Sequence, residues 1–395
     1  MIQSIRIRNF KSLGDVTISL DPVTVLIGPT GTGKSNCVQA LRFLRDYLLF
    51  RNEAVVIQQI NGGWQQLVCA TADRPYTLYF GLRFRAPGFG EGFEYQLCFR
   101  EQQSAGVMPN PVFYEEKLSL SDHVIFHQQG GKWLTAPKLA YPPGAGQLAL
   151  GGLTGIPEST VAYLVLSRGV GCYSFPDGVL LQPATAAPMT GFGGQPPASQ
   201  DRGLTDHGEN YAQALVGIIS DLQTWDRWKQ ILAALQRLDP SLQSIDYEMP
   251  QGSRIVVSHD VGGSVLGLDL KQESEGFRRF LTHLIALYQV PSKQTLIFEE
   301  PEKGIHPGAL AVLADQFKAC PAAGRGQVIL TTHSPELLDC FEPESFRVVK
   351  MENYLTRIGP VATGQIESIR EQLMRPGELL TVVTPQLAEA AATDF

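Results

Sequence analysis

The first fifty residues show two different hydrophobic periods. A period of two, which predicts an antiparallel hairpin, is set by Ile5, Ile7, Val16, Ile18 and Leu20. The next apolar run, VTVLI at residues 23–27, is continuous and predicts a buried central strand. After a glycine-rich stretch, a helical period follows at Val38, Leu41, Leu44 and Leu48. The predicted order is hairpin, strand, glycine-rich turn, helix.

Strand-like patterns return later in the chain and are followed by helical ones. Aromatic and β-branched runs predict strands at residues 76–80, 93–97, 112–114 and 117–120. Residues 142–200 are rich in Pro and Gly and predict irregular structure with a short helix near 161–166. A helix is predicted over 211–238, with one face formed by Leu215, Ile218, Ile219, Leu222 and Trp225. No heptad pattern persists, so we expect no long coiled coil.

The composition is that of a globular protein without an overall basic surface. Of 395 residues, 44% are hydrophobic and 18% charged, which disfavours disordered and membrane proteins. The 32 Lys plus Arg against 39 Asp plus Glu give a net charge of −7. Residues 178–200, the longest stretch without a charged residue, contain four Pro and four Gly and cannot form a membrane helix. The N-terminus lacks the apolar region of a signal peptide, so we expect a cytoplasmic protein without a membrane partner.

A phosphate-binding motif lies between the predicted buried strand and the following helix. Its sequence is Gly28, Pro29, Thr30, Gly31, Thr32, Gly33, Lys34 and Ser35, which matches G-x-x-x-x-G-K-[ST]. In such a loop the backbone N–H groups surround phosphates, and the helix N-terminus adds positive potential. Lys34 is expected to reach the β and γ phosphates, and the Ser35 hydroxyl to ligate Mg²⁺. The alternative is a chance Gly-rich turn, which the strand and helix flanks disfavour. The motif predicts ATP and Mg²⁺ as cofactors.

Two adjacent carboxylates end a second apolar strand. Thr295-Leu296-Ile297-Phe298 leads into Glu299 and Glu300. This order suits Glu299 as a metal-side carboxylate and Glu300 as the base for the water that attacks the γ-phosphate. Asp is usual at the first position, so the extra methylene of Glu299 shifts its metal contact. The alternative is a solvated acidic turn.

Two further motifs suit contacts to a γ-phosphate. The strand at residues 327–330 ends in Thr331-Thr332-His333-Ser334, and a His at a strand tip can sense a phosphate, although a lone His is more often structural. Upstream, Ser274-Glu275-Gly276 precedes apolar residues with helical spacing. Ser274 is a good N-cap and could be nothing more, but a Ser-capped helix N-terminus is also an anion site.

Taken together, these motifs resemble the ATP-binding-cassette ATPases of the SMC and RecF-like branch. The resemblance is to the compact AAA-type group that includes overcoming-lysogenization-defect and phage-defence ATPases. It rests also on residues 7–12 (IRNFKS), on Asn36 after the phosphate loop, and on Gly304-Ile305-His306-Pro307. The resemblance implies an α/β fold, a P-loop NTPase of ABC/RecF-like type with a mixed sheet, an antiparallel β subdomain and a helical signature lobe.

The family also implies a division of the chain and a set of roles. Residues 1–100 would form the first part of the ATPase head and 101–254 an inserted β/loop and helical lobe. Residues 255–350 would complete the head, and 351–395 would be a C-terminal extension. Glu300 and His333 would be catalytic, while Asn36, Ser274 and Gly276 would contact nucleotide. The signature residues would act on nucleotide held by the opposite subunit, which implies an ATP-sandwiched homodimer.

The sequence departs from its relatives in two ways. It lacks the coiled-coil pattern that SMC proteins insert between the two halves of the head. Only 62 residues follow His333, too few for a Toprim nuclease domain, so we expect nucleic-acid hydrolysis to need another polypeptide.

The leading hypothesis is an ATPase whose dimerisation switches a partner or a nucleic-acid clamp, in prokaryotic genome maintenance or phage defence. The alternatives are a transporter motor subunit and a low-turnover nucleotide-gated scaffold. Nucleic-acid binding stays open, since a scattered set of basic residues suits a solvated face as well as a binding rim: Lys11, Arg42, Arg45 and Arg51. The glutamine of the Mg²⁺ site also stays open among Gln58, Gln59, Gln65 and Gln66.

Overall fold

The computed structural model describes residues 1–51, 54–71, 76–102, 110–138, 147–153, 155–181, 203–219, 224–248 and 254–388. The described strands are β1 (Ile2–Phe10), β2 (Leu13–Ser19), β3 (Val23–Ile27), β4 (Thr77–Arg85), β5 (Gly92–Gln102), β6 (Asn110–Leu120), β7 (His123–Gln129), β8 (Lys132–Thr135), β9 (Val170–Tyr173), β10 (Leu242–Glu248), β11 (Arg254–Val261), β12 (Ser264–Asp269), β13 (Thr295–Glu299), β14 (Gln327–Thr331), β15 (Phe346–Glu352) and β16 (Leu355–Pro360).

The described α-helices are α1 (Lys34–Phe50), α2 (Trp64–Leu67), α3 (Pro157–Leu166), α4 (Asp177–Leu180), α5 (Tyr211–Ile219), α6 (Trp225–Gln236), α7 (Glu275–Tyr288), α8 (Pro307–Ala322), α9 (Pro335–Leu338), α10 (Thr363–Arg370) and α11 (Glu378–Thr381). A π-helix spans Ala54–Ile60. The chain divides into two compact units: the terminal unit, residues 1–170 and 342–395, and the middle unit, residues 171–341.

The terminal unit is built on a seven-stranded antiparallel sheet of order β2-β1-β4-β5-β6-β7-β8. Helix α1 packs against it through an aromatic cluster. The Phe43 ring lies 5.9 Å from Phe10, 5.6 Å from Phe80 and 5.9 Å from Phe99, measured between centroids. In the same unit β3 pairs in parallel with β15, and β15 pairs antiparallel with β16. The phosphate loop thus follows a buried strand and precedes a helix fixed by its aromatic face.

The middle unit contains strands in the order β14-β13-β9, with β13 and β14 parallel. The ring of Phe298 in β13 packs against two other rings. Its centroid lies 5.0 Å from that of Phe317 in α8 and 5.6 Å from that of His283 in α7. Burial lowers the pKa of His283 to about 4, so its imidazole is a neutral core group. A separate antiparallel sheet, β10-β11-β12, precedes α7.

The α/β class with mixed and antiparallel sheets is confirmed, and several local predictions agree with it. Strand β3 has the predicted bounds, and β1 and β2 form the predicted hairpin. The strands predicted at 112–114 and 117–120 are one strand, β6. Of the predicted irregular stretch 142–200, residues 142–146, 154 and 182–200 lie outside the described part of the chain.

The prediction of a single helix over residues 211–238 is wrong. The structure has α5 and α6 instead, and residues 220–223, which include Leu222, are not among those described. Leu215 and Ile218 are buried as expected, but Trp225 is 47% exposed. Trp225 begins a new helix, so the period counted from Leu215 does not continue to it.

All six cysteines are free thiols. Five cysteines are buried and Cys340 is half-buried, and none of the six, all within the described ranges, forms a disulfide. None of the described helices combines the length and apolar composition that crossing a membrane requires.

A buried carboxylate holds one connecting segment onto the antiparallel sheet. Glu116 of β6 is fully buried and accepts hydrogen bonds from Tyr95 Oη at 3.0 Å and Gln128 Nε2 at 3.1 Å. It also accepts from the backbone N–H groups of Ala149 at 2.6 Å and Leu150 at 2.9 Å. Burial raises the pKa of Glu116, and these donors oppose that rise.

We expect Glu116→Ala to lower the free energy of unfolding by about 3 kcal/mol, because it leaves several buried donors without an acceptor. The control is Glu115→Ala, whose partly exposed carboxylate pairs with His127 at 2.8 Å and should contribute less than about 1 kcal/mol. Urea denaturation of both variants measures the difference. An equal loss of unfolding free energy in both variants would show that the four hydrogen bonds of Glu116 stabilise the protein no more than the partly exposed ion pair of Glu115.

Candidate functional site

The phosphate loop of the terminal unit joins β3 to α1 through three glycines in the left-handed region. Their φ values are 149° at Gly28, 80° at Gly31 and 103° at Gly33. A Cβ atom on Gly33 would lie 2.1 Å from Thr356 Oγ1 and 2.9 Å from Ser12 Oγ. Gly33 is therefore required both for its backbone conformation and for the close approach of its neighbours.

Lys34 and the helix N-terminus supply the positive groups of this loop. The Lys34 side chain is buried, and its Nζ donates to Gly28 O at 2.6 Å and Pro29 O at 2.9 Å. Helix α1 begins at Lys34, and Gly33 supplies no side-chain cap. A glycine at the N-cap brings no side-chain oxygen that would compete with a phosphate for the N–H groups of the first turn. These groups fit a nucleoside triphosphate.

A hydrogen-bonded chain of side chains braces the start of α1. Asn36 Nδ2 donates to Ser12 Oγ at 2.7 Å, and Ser12 Oγ lies 2.6 Å from Thr356 Oγ1. Thr356 Oγ1 in turn donates to Thr32 O at 3.0 Å. Thr356 was not predicted from the sequence, and no local pattern marks it. The exposed Ser35 hydroxyl and the exposed Pro29 and Thr30 form the rim of the loop.

Burial shifts the pKa of two groups near the loop, and the side chains around it differ in accessibility. Burial lowers the pKa of Lys11, whose Nζ donates to Gln39 Oε1 at 2.6 Å. Burial raises the pKa of Cys37, three residues into α1 from Lys34, to about 12. Arg45 is buried and its Nε bonds to Asp46 Oδ1 at 2.8 Å, so it adds nothing to an exposed basic surface. The four candidate glutamines are exposed, two on the π-helix and two on α2: Gln58, Gln59, Gln65 and Gln66.

In the middle unit the structure brings Glu300 and His333 together. Glu299 is the last residue of β13, and Glu300 follows with φ 48°. The Glu300 backbone N–H donates to Thr331 O at 3.0 Å, so the two parallel strand ends are tied. Glu300 Oε1 lies 3.7 Å from His333 Nε2, and Lys303 Nζ pairs with the other carboxylate oxygen. The distance of 3.7 Å between Glu300 and His333 is longer than a hydrogen bond, so the contact is electrostatic and attracts only when the imidazole is protonated.

Glu302 is a supporting residue that sequence reasoning missed. Its Oε1 accepts from Thr332 Oγ1 and from the His333 backbone N–H, both at 2.8 Å. It therefore holds the strand end that carries His333. The sequence placed Glu302 beside the acidic pair, but only the parallel pairing of β13 and β14 brings it to His333.

Ser274 caps α7, as predicted. Its Oγ accepts from Phe277 N at 3.2 Å. Gly276 follows in the first turn, and a Cβ there would lie 3.1 Å from Gly304 O. The 16-residue helix α8 begins nearby with His306 as its N-cap. A cleft of about 520 Å³ is lined by Ser274, Gly276, Phe277, His306 and Arg237, among others. The described residues contain no group of three or more metal-ligating His, Cys, Asp or Glu side chains.

Comparisons with known proteins match two parts of the chain to ATPase domain models. A family model described as AAA domain, putative AbiEii toxin, Type IV TA system matches residues 198–339, and one described as AAA ATPase domain matches residues 1–63. A comparison with curated protein sequences finds no match.

Two solved structures share the fold at low identity. An SMC head bound to the C-winged helix domain of ScpA is 14% identical, with a TM-score of 0.55 over 93% of this chain and 99% of that chain. An Smc head with an extended coiled coil, bound to the C-terminal domain of ScpA derived from Pyrococcus furiosus, is 12% identical, with a TM-score of 0.52 over 94% and 99%. The chain therefore has the fold of an SMC head.

The contacts of the phosphate loop predict unequal effects of two alanine substitutions. Gly33→Ala must relieve both a positive φ and a contact of 2.1 Å, so we expect a loss of about 3 kcal/mol in the free energy of unfolding. Gly31→Ala meets only the positive φ, with no atom within 4 Å, and should lose about 1 kcal/mol. Urea denaturation compares the two. A Gly31→Ala variant that is the less stable one would contradict this reasoning.

Proposed function

We propose that the chain is a compact AAA-type ATPase of the SMC and RecF-like branch, that it binds and hydrolyses ATP with Mg²⁺, and that nucleotide-dependent dimerisation switches a partner. The matches to two ATPase domain models and the SMC-head fold support this proposal. The observation that carries the proposal is the glycine-rich turn that ends in Gly33 at the N-cap of α1, beside the buried Lys34 amine. A loop with this arrangement stabilises bound phosphate by backbone N–H groups and one positive charge.

The roles of the individual residues extend this proposal. Gly28, Gly31, Gly33 and Lys34 would hold the phosphates, with Asn36 near the start of α1. Ser35 and Glu299 would hold Mg²⁺, which supplies charge neutralisation and orientation when bound. Glu300 would accept the proton of the attacking water, and His333 would contact the terminal phosphate. The short distance between Glu300 and His333 supports giving them a common task.

The dimer follows from the signature residues. Ser274 and Gly276 at the N-terminus of α7 would contact the nucleotide of a second copy of the chain. A hydroxyl with helix N–H groups beside it is suited to the negative charge of a γ-phosphate. Loss of that phosphate on hydrolysis would weaken the association and shift the population back to monomers.

A separate effector would receive this switch. The two similar SMC heads are each bound to a domain of another protein, ScpA. A comparable arrangement would let this chain control a second polypeptide, such as a nuclease, or a nucleic-acid clamp. Prokaryotic genome maintenance or phage defence is the setting that we propose for it.

Two substitutions separate binding from hydrolysis. Lys34→Ala should weaken ATP binding and hydrolysis together, because a charge-assisted phosphate contact is lost. Glu300→Gln should keep ATP binding but lower hydrolysis by roughly two or more orders of magnitude, because it removes the base while keeping size and polarity. Isothermal titration calorimetry measures binding, and phosphate release measures turnover.

Exposed residues of the same types provide the controls. Lys229→Ala on α6 and Glu367→Gln on α10 should leave both quantities unchanged, since each side chain is exposed on a helix away from any proposed role. Equal loss of ATP binding in Lys34→Ala and Glu300→Gln would contradict the assignment of the two roles.

The proposed dimer makes a prediction about association. Glu300→Gln protein with ATP should accumulate as a dimer, and adding Ser274→Arg should prevent it, because a long side chain occupies the docking position at α7. Thr363→Arg places the same charge at the exposed start of α10, and adding it to Glu300→Gln should leave dimerisation intact. Size-exclusion chromatography with light scattering, with and without ATP, measures both.

Mixing two inactive variants tests whether Ser274 acts across subunits. A heterodimer of Lys34→Ala and Ser274→Arg chains has one composite site with both defects and one with neither. ATPase activity should therefore partly recover on mixing. A Glu300→Gln protein that stays monomeric at saturating ATP, with no recovery on mixing, would refute the dimer.

A further inference from the structure

The turn between β15 and β16 places an aromatic side chain where its conformation is unfavourable. Glu352 and Leu355 are paired across the two strands, so the loop consists of Asn353 and Tyr354 alone. Both have positive φ, 51° and 62°. Two left-handed residues in a row define the tight turn that suits the twist of a hairpin, and its usual sequence is Asn-Gly. Asn353 fits this rule, whereas Tyr354 stands where glycine is favoured.

Burial of the ring does not compensate for this conformation. Tyr354 is 86% exposed, more than any other large hydrophobic side chain among the described residues. A bulky residue in the left-handed region is strained, and such residues persist where they serve a function. An aromatic ring that neither relaxes the turn nor enters a core suits a role in binding.

Hydrogen bonds tie this turn to the phosphate loop within the terminal unit. Thr356, two residues after Tyr354, donates from Oγ1 to Thr32 O at 3.0 Å, and its N–H donates to Ser12 O at 2.8 Å. Leu355 lies over Gly14, since its Cδ2 would be 3.0 Å from a Cβ there. The turn is therefore fixed beside the loop and the first residues of α1.

The chemistry of a phosphate loop indicates what would lie beside this turn. N–H groups of such a loop hold the α and β phosphates while its lysine reaches the β and γ phosphates, so in the proposed binding mode the nucleoside lies at the helix end of the loop. That end carries Asn36, which bonds to Ser12, and Ser12 bonds to Thr356. Tyr354 is two residues from Thr356, and its exposed ring offers a π-face on which a base held at this end can stack.

We propose that Tyr354 is the surface on which the purine base of the bound nucleotide stacks. This rests on the proposed function, because it requires a nucleotide at the phosphate loop. Stacking uses the face of the base, so Tyr354 contributes affinity for the nucleoside and none for the polyphosphate. It therefore distinguishes nucleotides from inorganic polyphosphates, and purine from the smaller pyrimidine bases.

The test compares ATP with inorganic tripolyphosphate, both with Mg²⁺, by isothermal titration calorimetry. Tyr354→Leu should weaken ATP binding about tenfold or more while leaving tripolyphosphate binding unchanged, and Tyr354→Phe should restore ATP binding. Phe50→Leu is the control. It removes an exposed aromatic ring at the far end of α1, about 24 Å from Lys34 along the helix, and should change neither affinity.

A second readout is independent of nucleotide. Tyr354→Gly relieves the left-handed conformation, so its melting temperature without ligand should equal or exceed that of the unchanged protein, while ATP binding weakens as in Tyr354→Leu. A lower melting temperature would show that the ring stabilises the turn and would overturn the proposal.

The outcomes also distinguish a failure of the stacking proposal from a failure of the proposed ATP-binding function. If Tyr354→Leu binds ATP within twofold of the unchanged protein while Lys34→Ala does not bind it, the stacking role is refuted and the ATP site stands. Equal loss of ATP and tripolyphosphate affinity in Tyr354→Leu would also refute stacking. Failure of the unchanged protein to bind ATP at all would overturn both.

Discussion

The burial of Phe43 is the packing interaction on which the geometry of the phosphate loop depends. Its ring contacts Phe10 of β1 and Phe80 of β4, so one face of α1 is fixed against the antiparallel sheet. Losing such a ring destabilises a protein by about 3–5 kcal/mol. A shift of α1 along the sheet would break the contacts of the Phe43 ring. Lys34 begins the same helix about 13 Å away, so packing far from the loop sets the position of its positive charge.

The elements nearest the loop were predictable because local pattern and burial coincide there. Every apolar position that set the hairpin period is buried, and the four residues that set the helical period are too: Val38, Leu41, Leu44 and Leu48. The pairing of Glu300 with His333 was also within reach of the sequence. Each follows an apolar strand, and the ends of two neighbouring parallel strands meet at one edge. The chemical roles assigned to these residues stay predictions.

The remaining features depend on contacts that no short window contains. Ser12 and Thr356 are 344 positions apart, so their hydrogen bond leaves no local signal. The β10-β11-β12 sheet was missed for another reason. Its last strand exposes Val265 and Leu266, at 66% and 48%, so apolar residues there do not mark an interior face. The helix predicted over 211–238 failed because one hydrophobic period was continued past Thr224, which is the N-cap of a second helix, α6.

The burial of Cys37 has a consequence for the chemical durability of the loop. Its side chain is 1% exposed and burial raises the pKa of the thiol to about 12, so almost none of it is thiolate at neutral pH. Oxidants and alkylating reagents attack the thiolate of an accessible cysteine. The sulfur only three positions from Lys34 is thus protected, while the half-buried Cys340 is the site where such reagents would react first. Oxidative damage to this protein should begin outside the phosphate loop.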